Sequence, residues 1–220
     1  MEGHAKETAV IFLGGDLPSP NALVNVDPHV VIAADSGYAH AHGMGVEVHV
    51  LIGDLDSISM EHHTHAQVAG AQIVTAPRDK DQTDTELAIE WAVANGYEQL
   101  HLVYGGGDRF DHHLGAVQSL ANPQLANVRV TAAIGEAFVH AIHGPSSITI
   151  AVDRDVSVGL VPVGGSAEGV VTEGLKWPLK GETLHAWSSR GVSNIAVSDS
   201  VTVRVERGVL FVIIHNEVAK

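Results

Sequence analysis

Short β-branched runs, each ending in or followed by glycine, aspartate or proline, punctuate the first two-thirds of the chain: TAVIFLGG (8–15), HVVIAADSG (29–37), VEVHVLIGD (46–54), AQIVTAP (71–77), QLHLVYGGG (99–107) and VRVTAAI (128–134). Helix-sized segments separate them. Strands that are apolar on both faces and joined by crossover helices make an open, mostly parallel sheet flanked by helices. Such a sheet binds its ligands beyond the carboxyl ends of its strands, so chemistry is expected where these runs stop.

The texture changes near residue 143. SSITIAV, VSVGLVPVG, GVVTEG, TLHAWSS, NIAVSDS, VTVRVERG and VLFVIIH follow at close spacing with Gly, Ser and Asp between them, the pattern of an antiparallel sandwich or barrel. The expected fold class is therefore α/β: an N-terminal open, mostly parallel sheet flanked by helices over 1–143, followed by a C-terminal all-β sandwich over 144–220. VTVRVERGVLFVII reads as a hairpin turning at Arg207 and Gly208.

Two helices stand out in the first part. TDTELAIEWAVANG (83–96) opens with a capping box, Thr83 and Glu86, and closes at Gly96, a start and a stop signal in one segment. Leu87 and Trp91, four apart, are expected on its buried face. A second helix starts near Asp111, carries Leu114, Val117 and Leu120 three apart, and stops before Pro123.

Composition excludes several functions. Asp and Glu number 26 against 12 Lys and Arg, a formal charge of -14, whereas nucleic acids and anionic membranes require a basic footprint. No nucleic-acid or membrane partner is expected, and a polyanion would be bound through a metal. The chain has no cysteine, which removes disulfides, thiolate catalysis and thiolate zinc sites and suits a reducing compartment. No apolar run approaches the length of a membrane span, and the start lacks a signal-peptide pattern, so the expected location is cytoplasmic.

Three acidic clusters follow three of the strands. In IGDLDS, Asp54 and Asp56 lie two apart; in an extended segment both carboxylates face one spot, and such a pair ionises together only around a cation. Mg²⁺ suits it, because that ion takes one or two carboxylates and leaves room for substrate phosphates. The same Gly-Asp-x-Asp-Ser string also reads as a plain turn. In APRDKDQTDTE, Asp79, Asp81 and Asp84 surround Lys80 and lead into the capped helix. Asp84 there could serve only the helix dipole, but a lysine among carboxylates fits a phosphate contact beside a metal ligand.

In YGGGDRFDHH, glycines precede Arg109, Asp111 and His112. Glycines admit phosphate oxygens close to the backbone, and arginine binds them through two parallel hydrogen bonds; a flexible loop ended by a capping Asp111 is the other reading. Neither standard nucleotide-binding glycine motif is present, and FLGGD (12–16) is only a fragment of one. His62, His63 and His65 in EHHTH are either zinc ligands or exposed surface.

Together these motifs resemble the thiamine pyrophosphokinase (thiamine diphosphokinase) family. The resemblance rests on AADSG (33–37), IGDLDS (52–57), PRDKDQTDTELA (77–88), GGGDRFDHHLG (105–115), VGLVPVG (158–164), TEGLKWPL (172–179) and GVSN (191–194), in the family's order. It implies an N-terminal α/β domain, a C-terminal β-sandwich, a homodimer with the active site near the subunit interface, and transfer of a diphosphoryl group from ATP to thiamine with release of AMP.

It also implies site residues. Asp54, Asp56 and Asp84 would be the Mg²⁺ and phosphate-site carboxylates, with Asp81 as helper; Asp35, Gly37, Lys80, Thr83, Gly106 and Arg109 would line the ATP site; Arg109 and Asp111 match the family's Arg-x-Asp-His; and Trp177, Ser193 and Asn194 match its thiamine-recognising segment. A planar aminopyrimidine wants an aromatic face and paired donor and acceptor groups, although Trp177 could equally be a sandwich-core residue. Asp108 departs from the family, which more often has glycine before the arginine. Two alternatives stay open: a diphosphotransferase of the same fold acting on another alcohol, such as a hydroxymethylpterin, and a non-catalytic ligand-binding relative.

Overall fold

The structure, a computed structural model, describes residues 7–107 and 109–215; Asp108 lies outside the described residues. Among the described residues, those in 1–119 with 131–135 form one compact unit, and those in 120–130 with 136–215 a second. Among the described residues no helix is long and apolar enough to cross a membrane.

The first unit follows the alternation in the sequence. Its elements are β1 (Thr8–Phe12), β2 (Val30–Ala34), α1 (Gly37–Gly43), β3 (Val50–Gly53), α2 (Met60–Val68), β4 (Gln72–Thr75), α3 (Asp84–Ala94), β5 (Gln99–Tyr104), α4 (Phe110–Ser119) and β6 (Arg129–Ile134). The strand order is β4-β3-β2-β1-β5-β6, and β1 pairs in parallel with both β2 and β5. The chain thus builds outward from β1 to β4 and then crosses to the other side of β1. Such a reversal opens a crevice at the carboxyl ends of the central strands. Ile11, Phe12, Ile32, Leu51, Ile52, Leu100 and Leu102 are buried, as strands covered on both faces require.

α3 keeps its expected capping box: the Glu86 N–H donates to Thr83 Oγ1 at 3.3 Å and the Thr83 N–H to Glu86 Oε2 at 2.8 Å. Its buried face differs from expectation, being Ala88, Ile89 and Ala92, while Leu87 and Trp91 are half-buried. Small side chains let the helix lie close on the sheet, and Trp91 turns aside to stack on Tyr97 at 6.3 Å between ring centres. On α4 the expected apolar stripe is also incomplete, since Leu114 is 40% exposed.

The second unit is antiparallel, with β7 (Ala137–His143), β8 (Ser146–Ala151), β9 (Ser157–Glu173), β10 (Lys180–Leu184), β11 (Asn194–Ile195), β12 (Ser200–Val205) and β13 (Arg207–His215). VSVGLVPVG and GVVTEG, read as two strands, are the two ends of β9. Its first half pairs with β13 and β11, and its second half with β10 and β12. β9 therefore belongs to both layers of a sandwich whose inward residues, Val158, Leu160, Val170, Val203, Leu210 and Val212 among them, share one core.

The hairpin expected at Arg207 and Gly208 does not form. β12 pairs with β8 and β9, whereas β13 pairs with β7 and β9, so the chain changes layers at Glu206. Alternation on the first arm and the apolar run of the second satisfy either arrangement, because Val201, Val203 and Val205 fill the core from one layer and Leu210 and Val212 from the other.

Candidate active site

A cleft of about 630 Å³ opens at the carboxyl ends of the central strands of the first unit. Three carboxylates meet in it. Asp35 follows β2, Asp54 follows β3 and Asp84 begins α3, and one oxygen from each lies within 4.8 Å of the others. The gathering depends on Gly53: its φ is 150°, and a Cβ there would stand 3.2 Å from both the Asp35 Cβ and the Asp84 carboxyl carbon.

Asp35 is buried at 7% exposure, and its Oδ1 has no hydrogen-bond partner. Its backbone is left-handed, with φ 46°, and its N–H donates to the Ile52 carbonyl at 2.8 Å, tying the turn to β3. Burial pushes its carboxyl above the ordinary range, and the charges of Asp84 and Asp54 add to the rise. Ser57 and the Ser36 N–H offset part of that rise, but one oxygen stays without a donor and faces two like charges, so the group is short of a cation.

Asp54 and Asp56 reach the cleft from a turn, not from an extended segment. Leu55 between them is left-handed, with φ 63°, and the Asp56 N–H donates to Asp54 Oδ1 at 3.1 Å. The expected extended segment is thus a turn closed by the aspartate itself, which removes the alternation argument while keeping both groups at the cleft. That N–H, followed by Lys80 and Arg78, holds the Asp54 carboxyl below the usual range. Asp56 lines the same cleft but lies against Arg78 Nη2 at 3.5 Å and accepts from Ser57 Oγ at 3.0 Å.

Lys80 stands between the clusters, its Nζ 2.9 Å from Asp84 Oδ1 and 3.9 Å from Asp54 Oδ2. Thr83 lines the cleft as the cap of α3. Asp81 is exposed and Gly37 is buried in α1; neither is among the residues lining the cleft. Arg109 and His112 do line it, and Arg109 Nη2 lies 3.0 Å from Asp111 Oδ2. That hydrogen bond holds the Asp111 carboxyl below the usual range.

The glycines of the third cluster serve loop packing first. The Asp16 N–H donates to the Gly106 carbonyl at 2.9 Å, and a Cβ on Gly15 would stand 2.1 Å from that oxygen. FLGG and GGG therefore interlock, and Gly14, Gly15 and Gly107 reach the cleft. Sequence reasoning missed Arg78, Gln82 and Tyr104, which also line it. Arg78 was legible as the cation opening the acidic string after β4; the other two carried no signal of their own.

The second unit has a pocket of about 250 Å³ lined by Trp177, Pro178, Leu179, Arg190, Val192 and Asn194 among others. Trp177 is 55% exposed, not a core residue, and Lys176 Nζ lies 4.8 Å from its ring centre. Asn194, at 5% exposure, spends its amide on the backbone. Its Oδ1 accepts from the Trp177 N–H at 3.1 Å, and its Nδ2 donates to the Trp177 carbonyl at 2.8 Å. Its first task is thus to hold the tryptophan. Ser193 is exposed and left-handed, with φ 60°.

Comparison with known proteins agrees with both units. The family model for "Thiamin pyrophosphokinase, catalytic domain" matches residues 23–132, and that for "Thiamin pyrophosphokinase, vitamin B1 binding domain" matches residues 147–210. Thiamine pyrophosphokinase 1 of Oryza sativa subsp. japonica is 27% identical over 173 residues, which are 74% of this chain and 65% of that protein. The chain thus spans just under two-thirds of the rice relative. Thiamine pyrophosphokinase of Bacillus subtilis is 24% identical over 196 residues, 88% of this chain and 91% of that protein.

Among solved structures, thiamine pyrophosphokinase from Bacillus subtilis superposes with a TM-score of 0.83 at 22% identity, covering 96% of this chain and 100% of that one. Yeast thiamin pyrophosphokinase gives 0.76 at 15% identity, covering 97% and 87%. Both share the fold.

Proposed function

The chain belongs to the thiamin pyrophosphokinase family, and from that premise we propose that it is a thiamine diphosphokinase, transferring the diphosphoryl group of ATP to the hydroxyl of thiamine to give thiamine diphosphate and AMP. The observation that carries this reading is the carboxylate cluster of Asp35, Asp54 and Asp84, braced by Lys80, in the unit that the catalytic-domain model matches. ATP and Mg²⁺ are assigned to residues 1–143, and thiamine to 144–220. The enzyme acts in the cytoplasm as a homodimer with its active site near the subunit interface.

The donor set fits Mg²⁺. An unpartnered buried Asp35 oxygen beside two further carboxylates is all-oxygen and over-supplied with negative charge, which suits a hard divalent ion. Asp35, Asp54 and Asp84 would hold it, with Asp56 at the rim. When bound, the ion neutralises phosphate charge and draws the phosphate oxygens into line.

The protein's own groups do the rest. Lys80, Arg78 and Arg109 bind phosphate oxygens, and the positive end of the α3 dipole, which begins beyond the Thr83 cap, favours their charge. In the reaction the thiamine hydroxyl oxygen bonds to the β-phosphorus as the bond from that phosphorus to the α-bridging oxygen breaks, and AMP leaves with the electron pair. A carboxylate of the cluster takes the hydroxyl proton. Positioning and charge supply most of the acceleration in such transfers. Trp177, held through its backbone by Asn194, offers the aromatic face for the aminopyrimidine ring.

Transfer to another alcohol is not favoured, because the vitamin B1 binding model matches 147–210, nor is a non-catalytic role, because the catalytic-domain model matches 23–132. Incubation with ATP, Mg²⁺ and thiamine should yield thiamine diphosphate and AMP in equal amounts. AMP release with a different alcohol and none with thiamine would transfer the assignment to that alcohol. No nucleotide turnover with any acceptor would refute it.

A further inference from the structure

Three histidines gather on α1 and α2, among residues that do not line the carboxylate cleft. His62 and His65 are three apart on α2 and so share a face; Tyr38 and His42, four apart on α1, share another. The His42 ring centre lies 4.5 Å from that of His65 and 5.5 Å from that of His62. The Tyr38 hydroxyl, on a side chain buried at 2% exposure, lies 2.8 Å from His65 Nδ1. EHHTH thus has the helical template that its sequence did not reveal, and a third imidazole comes from a different helix.

We propose that His42, His62 and His65 form a binding site for a divalent first-row transition ion, Zn²⁺ foremost, with Tyr38 orienting His65 from the outer shell. The spacing fits. Zinc binds imidazole nitrogen at about 2.0–2.1 Å, which puts ring centres roughly 3 Å from the ion and about 5 Å from one another in a tetrahedral set. The observed 4.5 and 5.5 Å bracket that value. Tyr38 occupies Nδ1 of His65 and leaves Nε2 for the ion, the arrangement by which metal-bound histidines are usually fixed.

Among the described residues the carboxylates are the set whose ligand atoms already lie within 4.8 Å of one another, so the imidazoles must turn to aim at one point. Tyr38 holds His65 in place, His62 is half-buried and His42 is exposed, and an exposed side chain turns on the picosecond to nanosecond scale. Ligand chemistry sorts the two sites: oxygen donors take Mg²⁺, and imidazole takes Zn²⁺. An ion at the histidines ties the helix that follows Asp35 to the helix that follows Asp56, and so braces the two turns carrying Asp35 and Asp54.

The test uses the untagged full chain with Mg²⁺ in excess, titrated with Zn²⁺ in a calorimeter and with Co²⁺ by visible absorption. One Zn²⁺ per chain and the intense band of tetrahedral Co²⁺ are expected. His42→Ala and His65→Ala should each weaken Zn²⁺ binding by about 100-fold or more, and Tyr38→Phe by about 10-fold, within the range that outer-shell losses produce. His65→Cys, which restores a zinc ligand, should recover most of the affinity and so separates ligand loss from misfolding. No Zn²⁺ binding at micromolar concentration, or an affinity in both alanine variants within about threefold of wild type, overturns the proposal.

Discussion

Replacing Asp35 by asparagine should stabilise the metal-free protein while removing its response to Mg²⁺. The side chains are nearly isosteric, and asparagine accepts the left-handed backbone at this position, φ 46°. The change removes one negative charge from a set of three whose oxygens lie within 4.8 Å of one another. Two unit charges at such a separation repel by about 1 kcal/mol in water and about 3.5 kcal/mol at an effective dielectric of 20. Lys80, 2.9 Å from Asp84 and 3.9 Å from Asp54, offsets part of this, so the net relief is about 1–3 kcal/mol. In a chain of this length each kcal/mol moves the melting temperature by about 2–4 °C.

Mg²⁺ should reverse the order. An ion bound only by the folded state at a hundredfold excess over its Kd adds about 2.7 kcal/mol, and the variant forfeits most of that. Thermal unfolding of both proteins in EDTA and in saturating Mg²⁺ supplies the comparison. If the Asp35→Asn variant melts below wild type in EDTA, the carboxylate is a structural acceptor, and an undiminished Mg²⁺ increment would mean that it holds no ion. Either result refutes the argument.

Three further outcomes follow from particular contacts. Gly53→Ala places a Cβ 3.2 Å from Asp35 and Asp84 at φ 150°; a loss of about 1–3 kcal/mol and of Mg²⁺ affinity is expected by denaturant titration, and an unchanged Mg²⁺ affinity would detach the glycine from the site. Asn194→Ala frees both backbone groups of Trp177, so the KM for thiamine should rise by about tenfold or more, the worth of one or two lost hydrogen bonds, with the KM for ATP unchanged; equal rises in both would contradict a role confined to the tryptophan. His101 is buried, its Nε2 2.7 Å from the Ala22 carbonyl and its Nδ1 2.9 Å from Thr131 Oγ1, and burial holds its pKa below the ordinary 6.5. The unfolded chain therefore takes up the proton first: stability is intact above about pH 6.5 and falls as pH drops toward the depressed folded value. Urea unfolding should show a smaller acid loss for His101→Gln, and parallel curves would exclude His101 as the cause.

The parallel sheet was legible because strands buried on both faces have to be continuous apolar runs, and 9–12, 30–34 and 50–53 are such runs. Pairing partners in the sandwich were less legible. Alternation along 200–205, followed by the apolar run 209–214, marks two strands but is indifferent to whether they pair or lie in opposite layers, so β12 and β13 looked like a hairpin. Asp54 and Asp56 both reach the cleft, but through a turn and not through a period of two, because the single left-handed residue Leu55 breaks the extended backbone between them. Asn194 lines the pocket beside Trp177, but that its amide holds the tryptophan backbone 17 residues away is a contact no local pattern shows.

Asp84 shows how a residue far along the chain completes a site begun by two others. β2 and β3 are neighbours in the sheet, so Asp35 and Asp54, which follow them, emerge side by side at the carboxyl edge. Asp84 comes after β4, one strand further out, and a carboxylate at the end of that strand would lie beyond Asp54, on the side away from Asp35. It instead begins α3, and α3 must travel from β4 at the edge to β5 on the far side of β1. That crossing lays the helix over β3, β2 and β1, and its first turn comes down beyond the end of β3, where Gly53 has no side chain to exclude it. The capping box fixes Thr83 and with it the direction in which Asp84 leaves the helix. The same reversal of strand order that opens the crevice therefore also delivers the third carboxylate and the positive end of a helix dipole to one point, where a phosphate and its counter-ion can be held together.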